Sequence, residues 1–477
     1  MKHNLLKGDC PEMELPRELM VSVSGVRGRV AEALTPEIVA RFAAAFGAYV
    51  STAAGNRRAR VVIARDSRTS GPMFVRAAIS ALQSVGVDVI DAGLAPTPTA
   101  LYAVRHHQAD GGIVVTASHN PVEWNALKFA SAESMFLDAE QAPRMRTFLD
   151  TVEQHRATWD RIGEVTTDTG AVERHLRAVL DAPFLDINAL RKRRFRVALD
   201  CVHGAGAVLL PRLLEELGCE IVGIGLEPDG RFPREPEPVA ANLGDLERTV
   251  RESGADIGMA TDPDGDRLAL VSNTGRAIGE DFTLALAARL VLRHRSGPVV
   301  TNLSTSRLLE DVAAQAGVPL HRAPVGEINV ARKMQQVGAA IGGEGNGGVI
   351  LGDIHLTRDA AIAAALVLQL LLETGRSLQE IVDEYPAYAI VKDKLPRDAG
   401  SLDAAFAVLT ERLNAPEVDR QDGLRLAWPA EKRWVHLRAS GTEPILRIIA
   451  EAGSLAEARE LVEATRAALA APARAAG

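Results

Sequence analysis

The run ATDPDGDRLAL at residues 260–270 sets Asp262, Asp264 and Asp266 at alternate positions around Pro263 and Gly265. A tight turn of that composition converges three carboxylates. Three hard oxygen donors suit Mg2+ above all, with positions left for water or phosphate oxygens. An EF-hand calcium loop opens with the same spacing, but it needs glycine sixth and glutamate twelfth. Those places hold Arg267 and Asn273. Arg267 stands where a guanidinium meets a phosphate carried by the metal. The competing reading is a capped surface turn with solvated aspartates.

Five other stretches carry chemistry-bearing side chains. In VHLRASGTEPILRI (435–448), small residues Ser440, Gly441 and Thr442 lie between Arg438 and Arg447. Such a turn is an anion cradle, in which neutral donors give shape and guanidinium forks give charge; it also reads as a plain hairpin turn. In GGEGNGGVI (342–350), glycines crowd around Glu344 and Asn346. They let backbone approach a ligand closely, while a carboxylate beside an amide suits adjacent sugar hydroxyls; the alternative is a flexible glycine-rich loop. Arg27 in VSVSGVRGRV and Arg68 in ARDSRTSG are weaker candidates for reaching into a cleft. Ser118, in TASHNP, follows the apolar run GGIVV and precedes His119 and Lys128. No G-x-S-x-G elbow surrounds it, and an adjacent histidine is badly placed as the base of a Ser–His pair. Ser118 therefore reads either as a turn residue or as a phosphoryl carrier beside cations.

These residues need a scaffold, and the chain supplies a repeated one. A β-branched run, a polar turn and an Ala/Leu-rich stretch recur at 59–86, 195–218 and 298–317, each followed by another apolar run. Strand–helix–strand three times over implies parallel pairing covered by helices. From about Glu384, AYAIVKDKL and GLRLAWPAEKRWVHLRAS read as antiparallel strands, flanked by two helical stretches. The expected fold is α/β: three related domains with mixed or parallel sheets and a C-terminal α+β domain, arranged around a central cleft. Boundaries are expected at 1–160, 161–270, 271–383 and 384–477. Thr35 and Pro36 mark a helix start as N-cap and first helical residue. The apolar run AAIAAALVLQLLL (360–372) is too short to span a bilayer and reads as a buried helix.

Composition narrows the class. The chain has 477 residues, 47% of them hydrophobic and 24% charged, as in soluble globular proteins. A net charge of −8 argues against a nucleic-acid binder. Cys10, Cys201 and Cys219 form no C-x-x-C pair, which fits a reducing cytoplasm and a structural role. The N-terminus shows no apolar signal-peptide core, so no membrane partner is expected.

Together the four loops TASHNP, DPDGDR, GEGNGG and RASGTEP resemble, in order and across essentially the whole chain, the loops of the α-D-phosphohexomutases. The resemblance implies four domains around one cleft, each giving one loop. It implies a phosphorylated Ser118, with Ser118, Asp262, Asp264 and Asp266 holding one Mg2+. Arg27, His119, Lys128 and Arg267 would line the reacting centre, with Lys128 as the proton shuttle. Glu344 and Asn346 would meet the sugar, and Arg438, Ser440, Gly441, Thr442 and Arg447 would grip its non-reacting phosphate. The substrate would be a hexose or hexosamine phosphate, with a sugar bisphosphate as intermediate and activator, in a monomer or homodimer. Many relatives carry GE-[MQ]-SG-H; here Asn346 replaces the serine and Gly348 the histidine, so an acid–base role for that histidine does not carry over. His203 also stands where asparagine is common. The GEGNGG form, with APVGEINVARKM before it and RDA (358–360) after it, is most similar to members assigned to glucosamine phosphate. The alternatives are a glucose/mannose phosphate mutase and a non-catalytic sugar-phosphate binder.

Overall fold

The computed structural model describes residues 15–396, 401–440 and 445–470. It contains four sheets in chain order. The first has seven strands, ordered Met20–Ser22, Gly25–Arg29, Trp124–Ser131, Gly111–Val115, Arg60–Arg65, Asp88–Leu94 and Val165–Thr167. It is antiparallel at the Met20 edge and parallel from Gly111–Val115 onward. Its last strand lies past the expected boundary at 160.

The three expected strand–helix–strand units are present. Arg60–Arg65 pairs parallel with Asp88–Leu94 across the helix Gly71–Ser84. Arg196–Asp200 pairs with Glu220–Ile224 across Leu210–Glu216, and Val299–Asn302 with Leu320–Ala323 across Leu308–Gln315. The second and third sheets each have four strands and end on an antiparallel hairpin. The fourth is a five-stranded antiparallel sheet packed on the helices Leu402–Leu413 and Leu455–Ala470.

The helix Pro36–Ala54 begins as its sequence dictates: Thr35 accepts a hydrogen bond from the Ile38 amide, and Pro36 fills the first helical position. The apolar run forms the helix Ala360–Thr374, whose buried residues surround its axis and stitch the second and third domains into one core with Leu199, Leu213 and Leu286. Polar groups also cross that seam. Asp359 caps the helix through Oδ1, accepting from the Ala361 amide at 2.8 Å, while its Oδ2 takes His175 Nε2 at 2.8 Å and His355 Nε2 at 3.0 Å. Burial pushes the Asp359 carboxyl up, but the two imidazoles outweigh it and hold it well below the ordinary range.

Cys201 is buried and Cys219 half-buried, both as free thiols whose pKa burial raises. Cys10 lies outside the described residues. No helix among the described residues is long and apolar enough to cross a membrane.

Candidate active site

The loop bearing Ser118 joins two antiparallel strands, Gly111–Val115 and Trp124–Ser131, so the chain turns back and pairs Val114 with Lys128. Ser118 has φ 48°, in the left-handed region where a side chain with a Cβ is strained. Arg68 holds that strain. It is fully buried, and its Nη1 donates to the carbonyls of Pro121 (2.6 Å) and Trp124 (2.9 Å), its Nη2 to those of Ser118 (2.7 Å) and Asn120 (2.6 Å). Asp66 pairs with Arg68 Nε at 3.1 Å and accepts from Thr116 Oγ1 at 2.6 Å. Arg68 is therefore a brace beneath the serine loop, correcting the expectation that it reaches into the cleft.

The aspartate turn links the strands Ile257–Thr261 and Leu268–Ser272. The 200–206 segment wedges it from below, with the Ala205 amide donating to the Pro263 carbonyl at 2.7 Å. His203 sits in that segment at φ 56°, a left-handed conformation that asparagine tolerates more readily than histidine. Helix starts from two other domains also meet the turn: the Thr97 amide donates to the Asp264 carbonyl and the Ala360 amide to the Gly265 carbonyl.

Ser118 Oγ donates to Asp262 Oδ2 at 2.8 Å, and Lys128 Nζ to Asp264 Oδ2 at 2.8 Å. Oxygens of Asp262, Asp264 and Asp266 lie within 4.8 Å of one another. Asp264 Oδ1 and Asp266 Oδ1 are buried without a hydrogen-bond partner among the described residues. Orphaned carboxylate oxygens in so small a volume fit a divalent cation, since unpaired buried acceptors are otherwise costly. Burial, with Asp264 and Asp266 adding repulsion, pushes the Asp262 carboxyl well up. Burial acts the same way on Asp264, but Lys128 outweighs it and holds that carboxyl low.

His175, His355 and Asp359 are a second geometric candidate for a metal. They do not fit one. The Thr357 amide donates to His355 Nδ1 at 3.3 Å and Thr99 Oγ1 lies 2.8 Å from His175 Nδ1. The Thr357 amide can only donate, so His355 is set as a donor through Nε2 to Asp359, leaving no lone pair there for a metal, and both Asp359 oxygens are already engaged in the protein.

Opposite the aspartates, the hairpin Ile341–Glu344 and Gly348–Ile350 presents Glu344 and Asn346. Glu344 Oε1 accepts from Asn302 Nδ2 at 2.8 Å, and Oε2 from Arg358 Nη1 at 2.5 Å. Burial pushes the Glu344 carboxyl up, and Arg358 and Asn302 more than offset it. Gly347 and Gly348 are closely packed inside the protein, while Gly345 lines the cleft. A Cβ at Gly348 would lie 2.2 Å from Arg358 Cδ, and one at Gly347 would lie 2.4 Å from the Leu268 carbonyl oxygen.

Arg358 is the principal residue that the sequence reading missed. Its Nη2 donates to Asp266 at 2.5 Å, and its Nε lies 3.5 Å from Glu327, so one buried guanidinium ties the aspartate turn to the glycine loop. It lies directly before the N-cap aspartate of a helix, and the RDA stretch that contains it carries no role in the sequence reading. Asn302 and Glu237 were missed for the same reason. Glu237 faces His119 at 4.0 Å and Arg267 Nη1 at 3.4 Å.

The remaining expected residues converge. Arg27 donates to Asn120 Oδ1 at 2.5 Å. His119 Nδ1 lies 3.4 Å from Ser118 Oγ, and burial with Arg267 and Arg27 nearby lowers its pKa well below the ordinary value. Its place beside Ser118 suits a hydrogen-bond contact. In the fourth sheet Arg438 and Arg447 are direct cross-strand partners, a like-charge pairing that a bound anion relieves. Arg438 also meets Asp422 at 3.2 Å. Ser440 lines a recess adjoining the cleft, while Gly441 and Thr442 lie outside the described residues. A single cleft of about 650 Å³ is lined by Ser118, Lys128, Arg267, Glu344, Arg438 and Arg447, with Arg27, His119, Asn346 and Arg358 on the same wall.

Four family models match this chain in succession. Phosphoglucomutase/phosphomannomutase alpha/beta/alpha domains I, II and III match residues 19–156, 173–275 and 279–388, and the C-terminal domain of that family matches 389–468. A phosphoglucomutase/phosphomannomutase of Thermococcus kodakarensis is 41% identical over 443 residues, 92% of this chain and 96% of that protein. A probable phosphoglucosamine mutase of Methanopyrus kandleri is 37% identical over 442 residues, 92% of this chain and 95% of that one. The crystal structure of a phosphoglucomutase/phosphomannomutase family protein from Burkholderia thailandensis superposes with TM-score 0.81 at 27% identity, covering 94% of this chain and 98% of that one.

Proposed function

The chain belongs to the phosphoglucomutase/phosphomannomutase family, and on that premise we propose that it interconverts the 6-phosphate and 1-phosphate of a hexosamine, glucosamine first. The observation that carries the reading is the single cleft lined by a strained serine, a sugar-type hairpin and an arginine pair, with three buried aspartates directly behind Ser118 and Lys128.

The reaction begins from a phosphorylated Ser118. The sugar's free hydroxyl attacks phosphorus, the P–Oγ bond breaks, and Ser118 Oγ takes a proton from Lys128. The proton released by the attacking hydroxyl restores Lys128, so the shuttle ends as it began. Asp264 Oδ2, 2.8 Å from Lys128 Nζ, keeps the ammonium in place. The product is a bisphosphorylated sugar, which turns end for end and returns its other phosphate to Ser118. Arg438 and Arg447 hold whichever phosphate is not reacting, by charge more than by shape. Glu344 and Asn346 meet the sugar hydroxyls. Asp262, Asp264, Asp266 and the Ser118 oxygen would hold Mg2+, whose chemistry when bound is to neutralise charge on the phosphoryl group in transfer. Positioning and electrostatics supply most of the rate.

A second reading, turnover of glucose and mannose phosphates, is favoured by the name of the 41%-identical relative. Assay of purified protein on the 1- and 6-phosphates of glucosamine, glucose and mannose separates the two readings, with Ser118→Ala alongside. The expected result is highest kcat/KM on glucosamine phosphate and loss of turnover in S118A. Full activity of S118A overturns the phosphoserine mechanism.

A further inference from the structure

A second cavity, of about 570 Å³, opens between the third and fourth domains and shares no lining residue with the reaction cleft. Its wall presents three guanidiniums, from Arg307, Arg322 and Arg425, with Lys333 and His321 beside them. One carboxylate faces them. Glu310 meets Arg322 Nη2 at 2.8 Å, Arg307 Nη1 at 3.0 Å and Arg425 Nη2 at 3.6 Å. Three guanidiniums against one carboxylate leave a surplus of two positive charges.

Glu417 and Asp419 on the lining offset part of that surplus and Lys333 adds to it, so the lining stays net positive. Glu417 is exposed at the rim. Asp419 is occupied by its own loop, accepting from the Gln421 amide at 2.8 Å and from Gln421 Nε2 at 2.9 Å. Arg425 is only 6% exposed and Arg307 only 9%. The Nε of both, and Nη2 of Arg425, find no hydrogen-bond partner among the described residues. Burial, with Arg322 and Arg307 adding repulsion, pushes the Arg425 guanidinium down to about 9. A buried cation with unfilled donors is costly unless an anion completes it.

We propose that this cavity binds a phosphate-bearing small molecule, a dianion seated on Arg425 and Arg307 with Lys333 at the entrance. Guanidinium forks match phosphate oxygens two at a time. The site also touches the machinery of the cleft. Arg322 Nη1 donates to the Asn302 and Thr305 carbonyls at 2.9 Å each, and Asn302 Nδ2 donates to Glu344. The Arg307 amide donates to Glu451 of the fourth domain at 2.9 Å. An anion here bears both on the sugar hairpin and on the seat of the fourth domain. The inference rests on charge and burial at this cavity and stands independently of the sugar specificity.

Calorimetric titration of the full chain with inorganic phosphate, glucose 1,6-bisphosphate and ADP, each in phosphate-free buffer, tests it. The wild type is expected to show two binding events for at least one of these probes, one from the cleft and one from this cavity. Arg425→Gln and Lys333→Glu should each weaken the second event at least tenfold and leave the first within twofold. The probe that binds tightest separates a free-phosphate, a sugar-bisphosphate and a nucleotide source. A single event with all three probes in the wild type, or two events surviving unchanged in K333E, overturns the proposal. K333E guards against a fold defect in R425Q, because Lys333 is half-buried and contributes no core packing.

Discussion

Gly348 is the smallest perturbation with the largest consequence expected in this protein. An alanine Cβ there would lie 2.2 Å from Arg358 Cδ, 2.8 Å from Cγ and 3.2 Å from Cβ. Contacts below about 3 Å are relieved cheaply only at the free end of a side chain. The free end of Arg358 is pinned to Asp266 and Glu344 at 2.5 Å each. Gly348→Ala must therefore expel the arginine and leave three buried carboxylates, Asp266, Glu344 and Glu327, without their counter-ion. Breaking a buried ion pair costs roughly 3–5 kcal/mol. Misplacing catalytic groups by about 1 Å lowers turnover roughly 100-fold. The same arithmetic gives a sharper outcome in the Arg358→Ala background. There the space is already empty, so adding Gly348→Ala should cost less than about 0.5 kcal/mol. Thermal unfolding and kcat/KM of the wild type, G348A, R358A and the double variant close the cycle, with an expected coupling of roughly 3 kcal/mol. Equal costs of G348A in both backgrounds would falsify the idea that Gly348 exists to admit Arg358.

Other consequences can be measured in parallel. Arg68→Met leaves Asp66 buried and unpaired and frees the serine loop. We expect roughly 3–5 kcal/mol lost from the first domain and a fall in kcat larger than the change in KM, and a purely thermal effect with normal kcat would contradict the brace. Asp281 is half-buried at the cleft wall, and desolvation, with repulsion from Glu451 and Glu280, raises its carboxyl from 3.8 to about 7. The folded state thus keeps a proton that the unfolded chain releases, and stability falls as pH rises through that window. Asp281→Asn should flatten the slope of Tm between pH 4 and 7, and parallel slopes in the two proteins would remove this role. Arg438→Met removes one charge-assisted phosphate grip, worth roughly 1.5–3 kcal/mol. Its KM should therefore rise roughly 10–100-fold with kcat less affected, and an unchanged KM would place the non-reacting phosphate elsewhere.

Much of the scaffold is visible in local patterning, because strand–turn–helix runs and their caps are short-range choices. The three parallel units, the Thr35–Pro36 helix start, the buried 360–372 run and the antiparallel C-terminal sheet all follow from residues within a few positions of one another. The chemistry of each loop is legible too, since carboxylates, guanidiniums and a serine in tight turns have few uses.

What local pattern does not carry is who meets whom across domains. Arg68 reads as a cleft residue until four carbonyls of a distant loop are seen to surround it. Arg358 reads as flanking charge until the hairpin and the aspartate turn close on it, and Gly348 reads as flexibility until the arginine beside it requires the space. The amino-acid sequence by itself determined the loops and their chemical kinds, because those depend on neighbours along the chain. Only the tertiary structure decided which cations stand under the site, which line it and which face a separate cavity, because burial and counter-ions are set by residues tens to hundreds of positions away.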